Sequence, residues 1–220
     1  MLKSLIFDFD GLILDTETPD FRAWQAIFRE YGYELPAEKW GSIIGGRGIS
    51  SFNAAEHLAG LCGGAVAASE LNARQEHESM AMLLAQPVLP GVTGLLQQAR
   101  EAGLKLAIAS SSPHDWVETH LARLGLLERF DPIICAEDVA PGRTKPNPDL
   151  YLKALEVMDA AAEQAVVFED SYNGVKAARA AGIFVVAVPN TVTALLGVDG
   201  ADMKLKSLEE FDLRGFMARA

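Results

Sequence analysis

The chain has 220 residues, 50% hydrophobic and 22% charged, which is enough apolar material to bury a core and too much for a disordered segment. Its formal net charge of -11 argues against a general binder of nucleic acid or anionic membrane, since such proteins need basic patches to displace phosphate counterions. A small phosphorylated metabolite remains compatible, provided a metal ion, a lysine or backbone N–H groups neutralise it locally.

Cys62 and Cys135 lie far apart and form no metal-like pair, so they read as buried thiols of a reducing compartment. Asp8 and Asp10 interrupt the apolar amino-terminal stretch before a signal-peptide core forms, and no segment is long and apolar enough to span a bilayer. The expectation is a soluble, cytoplasmic monomer with no membrane or nucleic-acid partner.

Along the chain, the first element is the run Leu5-Ile6-Phe7-Asp8-Phe9-Asp10-Gly11. Two carboxylates directly after an apolar strand are costly to place for structure alone. A turn at Gly11 aims both into the crevice at the strand's carboxyl end, where open α/β sheets bind ligands. The run continues as Leu12-Ile13-Leu14-Asp15-Thr16-Glu17, completing the specific pattern Asp-x-Asp-Gly-x-x-x-Asp-Thr-Glu. Asp15 and Glu17 also suit the capping and charge preference of a helix amino terminus.

Residues 16–87 read as a helical insert. One helix runs through Phe21–Phe28 and ends near Gly32, and further helical patterns cover Ser50–Leu61 and Ala67–Leu84. Asp15–Asp20 and Ala85–Gly91 are its expected connections, side by side as a hinge. Trp24, Phe28 and Trp40 read as the insert's core. Arg47, flanked by Gly45, Gly46 and Gly48, can approach a ligand closely and grip a phosphate or sugar oxygen.

From Val88 onward, β-branched runs at Lys105–Ala109, Ile133–Ala136, Ala165–Phe168 and Phe184–Val188 alternate with helical stretches that end at Gly103, Gly125 and Gly182. This is the grammar of a doubly wound, Rossmann-like parallel sheet, an α/β core of residues 1–15 and 88–220 carrying the 16–87 insert after its first strand.

The remaining chemistry sits at strand ends and loops: Ser110-Ser111-Ser112, Lys145-Pro146-Asn147-Pro148 and Glu169-Asp170-Ser171. Together with the first two acids they match the needs of phosphoryl transfer. A carboxylate attacks phosphorus once the phosphate charge is neutralised, which suits Asp8. A second acid protonates the leaving alkoxide and later deprotonates water, which suits Asp10. Mg2+ prefers oxygen ligands, and Asp8, Asp170 and the Asp10 carbonyl supply them, with Glu169 as a further ligand or as the orienter of Lys145. Lys145, the Ser110 hydroxyl and the N–H groups from Ser111 on meet the transferring oxygens.

This ordered set, Asp8, Asp10, Ser110, Lys145, Glu169 and Asp170, resembles the haloacid dehalogenase-like superfamily over essentially the whole chain. The helical insert after the first strand is similar to the subfamily with a small helical cap, which includes β-phosphoglucomutase and sugar-phosphate phosphatases. The resemblance implies a cap that closes over substrate and excludes water. Asp10 argues against the dehalogenases, which lack that acid. Phe21-Arg22-Ala23-Trp24 is similar to the mutase, but Asp20 stands where the mutase has a histidine, and is a candidate to face the substrate.

The expectation is therefore an Mg2+-dependent phosphatase acting through an aspartyl phosphate on a small phosphorylated metabolite, a sugar phosphate foremost. A phosphohexomutase shares every core residue and differs in passing the phosphoryl group to a second hydroxyl. A non-catalytic phospholigand-binding module is the reading from another class. His57, His77, His114 and His120 show no ligand spacing and read as surface or locally hydrogen-bonded groups.

Overall fold

The structure is a computed structural model that describes residues 1–36, 39–40 and 52–219. The strands β1 (Ser4–Phe7), β2 (Lys105–Ala109), β3 (Ile133–Ile134), β4 (Ala165–Glu169), β5 (Phe184–Ala187) and β6 (Met203–Lys204) form one sheet in the order β3-β2-β1-β4-β5-β6. All neighbours run parallel. Strands buried on both faces need continuous apolar runs, and Ser-Leu-Ile-Phe of β1 and Ala-Val-Val-Phe of β4 supply them.

Alternation along these strands builds a core on each face. Leu5, Phe7, Ile108, Val166 and Phe168 pack under α4 (Val92–Glu101), α5 (His114–Arg123) and α8 (Leu213–Met217). Ile6, Ala107, Ala109, Val167 and Val185 pack under α6 (Asp149–Met158) and α7 (Tyr172–Ala180). The doubly wound α/β expectation thus holds. The chain leaves β1 toward β2 and β3, then returns to the other side of β1 as β4, so the order reverses between β1 and β4. A crevice opens at the carboxyl ends of strands that flank such a reversal.

Between β1 and β2 lie α1 (Glu17–Glu30), α2 (Ala54–Leu61) and α3 (Ala68–Leu84). Trp24, Ile27, Phe28, Trp40, Leu58 and Leu71 form their own apolar cluster, with Val192 from the sheet domain against it. The α1 helix starts at Glu17, earlier than the sequence pattern suggested, because Asp15 Oδ1 accepts from the Thr18 N–H at 2.9 Å and caps its first turn. The segment after α3 returns beside the turn that follows β1, the Leu89 N–H donating to the Ile13 carbonyl at 3.0 Å.

Two further expectations are corrected, and one strand went unread. The strand at β3 stops at Ile134 and gives way to a 3-10 turn at Ala136–Asp138, where Asp138 Oδ2 accepts from the Cys135 N–H. The edge strand β6 escapes a pattern reading because two residues carry no period. Cys135 is buried but Cys62 is only half-buried. Among the described residues no helix is long and apolar enough to cross a membrane.

Candidate active site

The crevice is a cavity of about 490 Å³ lined from below by Asp8, Asp10, Ser110, Lys145 and Asp170, and from above by Glu17 and Asp20 of α1 and Glu76 of α3. That size suits a small organic ligand. Lys145 is the only cation among the described lining residues.

Asp8 leaves β1 as a continuation of the ladder, its N–H donating to the Phe168 carbonyl at 3.0 Å. The chain then folds into a tight turn in which the N–H groups of Leu12, Ile13 and Leu14 converge on the Phe9 carbonyl, re-aiming Asp10. Gly11 has φ +80° at this turn, and a Cβ there would stand 2.2 Å from Asp170 Oδ2 and 2.7 Å from Asn190 Nδ2. Only glycine serves both the left-handed backbone and that close approach.

Lys145 Nζ lies 2.5 Å from Asp8 Oδ1 and 2.6 Å from Glu169 Oε1. Glu169 is fully buried at the end of β4 and its other contacts are all protein donors. Tyr151 Oη donates to Oε1 at 2.7 Å, while the N–H groups of Asp170 and Ser171 and the Ser171 hydroxyl donate to Oε2, each at 3.1 Å. The Ser171 hydroxyl also accepts from the Gly174 N–H at 3.1 Å, capping α7. A Cβ at Gly174 would fall 1.8 Å from the Glu169 carboxyl, so the helix can seat on this acid only with glycine there.

Asp8, Glu169 and Asp170 each place a carboxylate oxygen within 4.8 Å of the others. Burial first, then the charge of Glu169, push the Asp8 carboxyl up to about 8 against the opposing pull of Lys145. Burial and the charges of Asp8 and Glu169 hold Asp170 well above the usual carboxylate range. Lys145 is held above its ordinary value, its desolvation outweighed by the two carboxylates together. Three buried hard-oxygen donors against one ammonium are a donor set that a divalent cation fits. Glu169 belongs to this cluster but does not line the cavity; its saturated hydrogen bonding makes it the support of Lys145 and leaves Asp8 and Asp170 as the carboxylates open to a ligand.

Asp10 stands apart from that cluster. Its Oδ2 accepts from Ser112 Oγ at 2.6 Å and from Ser110 Oγ at 3.4 Å, and its Oδ1 from Trp116 Nε1 at 2.9 Å. Ser110 is buried and its hydroxyl oxygen accepts from the Ser112 N–H at 3.0 Å; Ser111 is exposed at the rim and lines the cavity. Asp20 also lines the cavity and accepts from Gln75 Nε2 at 3.1 Å. Arg47 and its flanking glycines lie outside the described residues.

Glu17 does more than polarise its helix. It lines the cavity, and burial plus the charges of Asp20, Asp10 and Asp15 push its carboxyl up to about 7. His114 stays near the surface between Glu118 and Asp138, at 2.8 and 2.7 Å. His120 is locally hydrogen-bonded, its Nδ1 accepting from Arg123 Nε at 3.4 Å, and only 4% exposed, because it lies one turn after Trp116 and packs against that ring and Phe9.

Four contributors escape the sequence reading. Asn190 donates to Asp170 Oδ2 at 2.9 Å, and its own Oδ1 accepts from the Val192 and Thr193 N–H groups. It follows β5, so the strand-end rule that found the other residues reaches it too. Ser112 was visible within the serine run, but its role toward Asp10 was not. Trp116 sits one turn into the helix that leaves the crevice, and Tyr151 meets Glu169 from α6; neither position carries a sequence signal.

A family model described as haloacid dehalogenase-like hydrolase matches residues 5–188. The Bacillus subtilis protein YhcW is 40% identical over 213 residues, 97% of this chain and 95% of that protein. The phosphorylated carbohydrates phosphatase of Thermotoga maritima is 32% identical over 187 residues, 83% of this chain and 82% of that protein. Among solved structures, a variant of CbbY from Rhodobacter sphaeroides in complex with xylulose-(1,5)bisphosphate aligns with a TM-score of 0.70 at 27% identity, covering 98% of this chain and 99% of CbbY. A match across most of the sheet and every strand-end acid is not a fragmentary likeness: this chain belongs to the haloacid dehalogenase-like hydrolases.

Proposed function

We propose that the protein is an Mg2+-dependent phosphatase that hydrolyses a sugar phosphate through an aspartyl phosphate on Asp8. The observation that carries this reading is the juxtaposition, at one sheet end, of a buried carboxylate gripped by a buried lysine and a second acid held on separate donors two residues away. The phosphatase name of the Thermotoga relative supports the substrate class.

Asp8 and Asp170 would hold the cation, which when bound supplies positive charge to the phosphoryl oxygens and lowers the barrier to attack by an anion. Lys145 orients Asp8 by direct contact, favours its carboxylate form against the burial that opposes it, and presents an ammonium to the same oxygens. Glu169, fixed by five protein donors including Lys145, holds that lysine in place. Asp8 attacks phosphorus while Asp10 gives its proton to the leaving sugar oxygen; Asp10 then takes a proton from the water that opens the aspartyl phosphate. The Ser110 hydroxyl and the Ser111 N–H face the phosphoryl group from the end of β2. Residues 16–87 act as a cap whose α1 and α3 faces, with Asp20 and Glu17, meet the sugar and exclude water. On its glycine-flanked sequence, Arg47 would add a ligand contact.

Hydrolysis is favoured over a mutase because Asp20 occupies the mutase's histidine position. Phosphorus NMR with a panel of sugar phosphates tests both. Inorganic phosphate that accumulates with Mg2+ and ceases on chelation is the expected result. Conversion of one ester into another identifies a mutase, and tight retention of an ester without any turnover sinks the enzymatic reading.

A further inference from the structure

The proposed acid–base residue, Asp10, has a tether that no part of the mechanism above uses. Both of its oxygens are engaged from the β2–α5 junction, but by donors of different kinds. Oδ2 meets two serine hydroxyls, Ser112 at 2.6 Å and Ser110 at 3.4 Å. Oδ1 meets the Trp116 indole N–H at 2.9 Å. A hydroxyl rotates and can donate or accept, whereas an indole N–H only donates. Oδ1 is thus held as an acceptor toward Trp116, and a carbonyl-type oxygen accepts better than a hydroxyl oxygen, so this contact favours Oδ2, on the rotatable serine hydroxyls, as the oxygen free to exchange a proton.

The indole is itself locked. Its ring meets buried His120 edge-on, centroids 4.4 Å apart at 73°, and His120 lies against Phe9, the residue before Asp10, with centroids 6.5 Å apart. One turn further, Arg123 Nη1 donates to the Leu84 and Gln86 carbonyls, each at 3.1 Å, anchoring α5 to the connection that follows α3. Positions 116, 120 and 123 share one helix face.

We infer that Trp116 is a positioning residue that fixes the Asp10 carboxyl by Oδ1 and so assigns Oδ2 as the oxygen that carries and returns the catalytic proton. This rests on Asp10 being the acid–base residue. In the first step the Asp10 Oδ2–H bond breaks, the leaving alkoxide takes the proton and the electron pair of the cleaved P–O bond, and Asp10 becomes a carboxylate. In the second step Oδ2 takes a proton from the attacking water. The serines turn to whichever partner Oδ2 needs, and Trp116 does not move.

An alkoxide leaving group needs that proton and p-nitrophenolate does not, so the ratio of kcat/KM for glucose 6-phosphate to that for p-nitrophenyl phosphate reads the placement of the proton. Trp116→Phe keeps the ring packing and loses the N–H; the ratio is expected to fall by about 10- to 100-fold. Asp10→Asn should lower the same ratio at least as far, and Trp116→Phe added to it should lower it no further. An unchanged ratio in Trp116→Phe, with Asp10→Asn still selective, overturns the inference alone. So does a tryptophan effect that persists in full on the Asp10→Asn background. A ratio unmoved by Asp10→Asn overturns the acid–base role of Asp10, and this inference with it. If Trp116→Phe fails to fold by thermal unfolding, benzothienylalanine at 116, isosteric but without the N–H, gives the same comparison.

Discussion

The floor and the roof of the cavity handle charge in different ways. On the floor, Asp8, Lys145, Glu169 and Asp170 are buried, and Glu169 alone collects five donors from its surroundings. The roof instead rests on an apolar cluster around Trp24, Ile27 and Phe28, and presents half-buried Glu17 and Asp20 and exposed Glu76 at its edge. Buried charge is tolerated only when every lone pair and proton is met, so a change on the floor propagates through the whole network. Edge acids over an apolar cluster can be exchanged at small cost. Under the proposed function, the chemistry would sit on the part that cannot vary and the choice of ester on the part that can.

Breaking the floor should give the largest effects. Asp8→Asn is expected to lower phosphate release by at least about 10⁴-fold while cooperative unfolding persists, since the nucleophile is lost without removing volume. Retained turnover in this variant would remove Asp8 from its role. Lys145→Met leaves two buried carboxylates without their cation, and urea unfolding should show a loss of about 3–5 kcal/mol. Turnover below the transition should fall by about 10²- to 10³-fold. A variant as stable as the parent would show that the floor does not depend on that pairing.

Breaking the roof should affect the fold more than the chemistry. Trp24→Ala opens the cluster between α1 and α3 and should cost about 3–5 kcal/mol by denaturant unfolding. A loss below about 1 kcal/mol would mean that the cluster does not support the roof.

The smallest effect sharpens the comparison through pH. The Glu17 carboxyl is pushed from 4.5 up to about 7 in the folded protein, so its charged form is the disfavoured one. Below the unfolded value it is neutral in both states and contributes nothing. As pH rises from 4.5 through 7 the unfolded state ionises first, and stability is lost. Glu17→Gln lacks this term: it should match the parent at acidic pH and exceed it at pH 8 by on the order of 2 kcal/mol, after discounting for water reaching a partly exposed carboxyl. Parallel unfolding curves for the two proteins across pH would show that Glu17 is not strained in the roof.

Much of the floor could be read before folding. Asp8, Ser110 and Glu169-Asp170 each follow an apolar run that can only be a buried parallel strand, and strand ends at an order reversal converge by topology. Lys145 had no such strand; its family position alone marked it, and the structure gives the reason, a reach into the pair Asp8 and Glu169. Trp116 and Tyr151 were illegible because their contacts span 106 and 18 residues, and nothing local distinguishes a tryptophan on a helix from one that donates to an acid; Asn190, after β5, was within reach of the strand-end rule.

By itself, then, the sequence determined the doubly wound sheet, the helical insert and the acids that end its strands, because hydrophobic period and backbone direction are local properties. Only the tertiary structure decided that Asp8 and Asp10, two residues apart, enter different environments. The turn at Gly11 sends Asp8 to a buried lysine and Asp10 to serine hydroxyls and an indole, and those partners come from loops and helices at least 100 residues away in the chain.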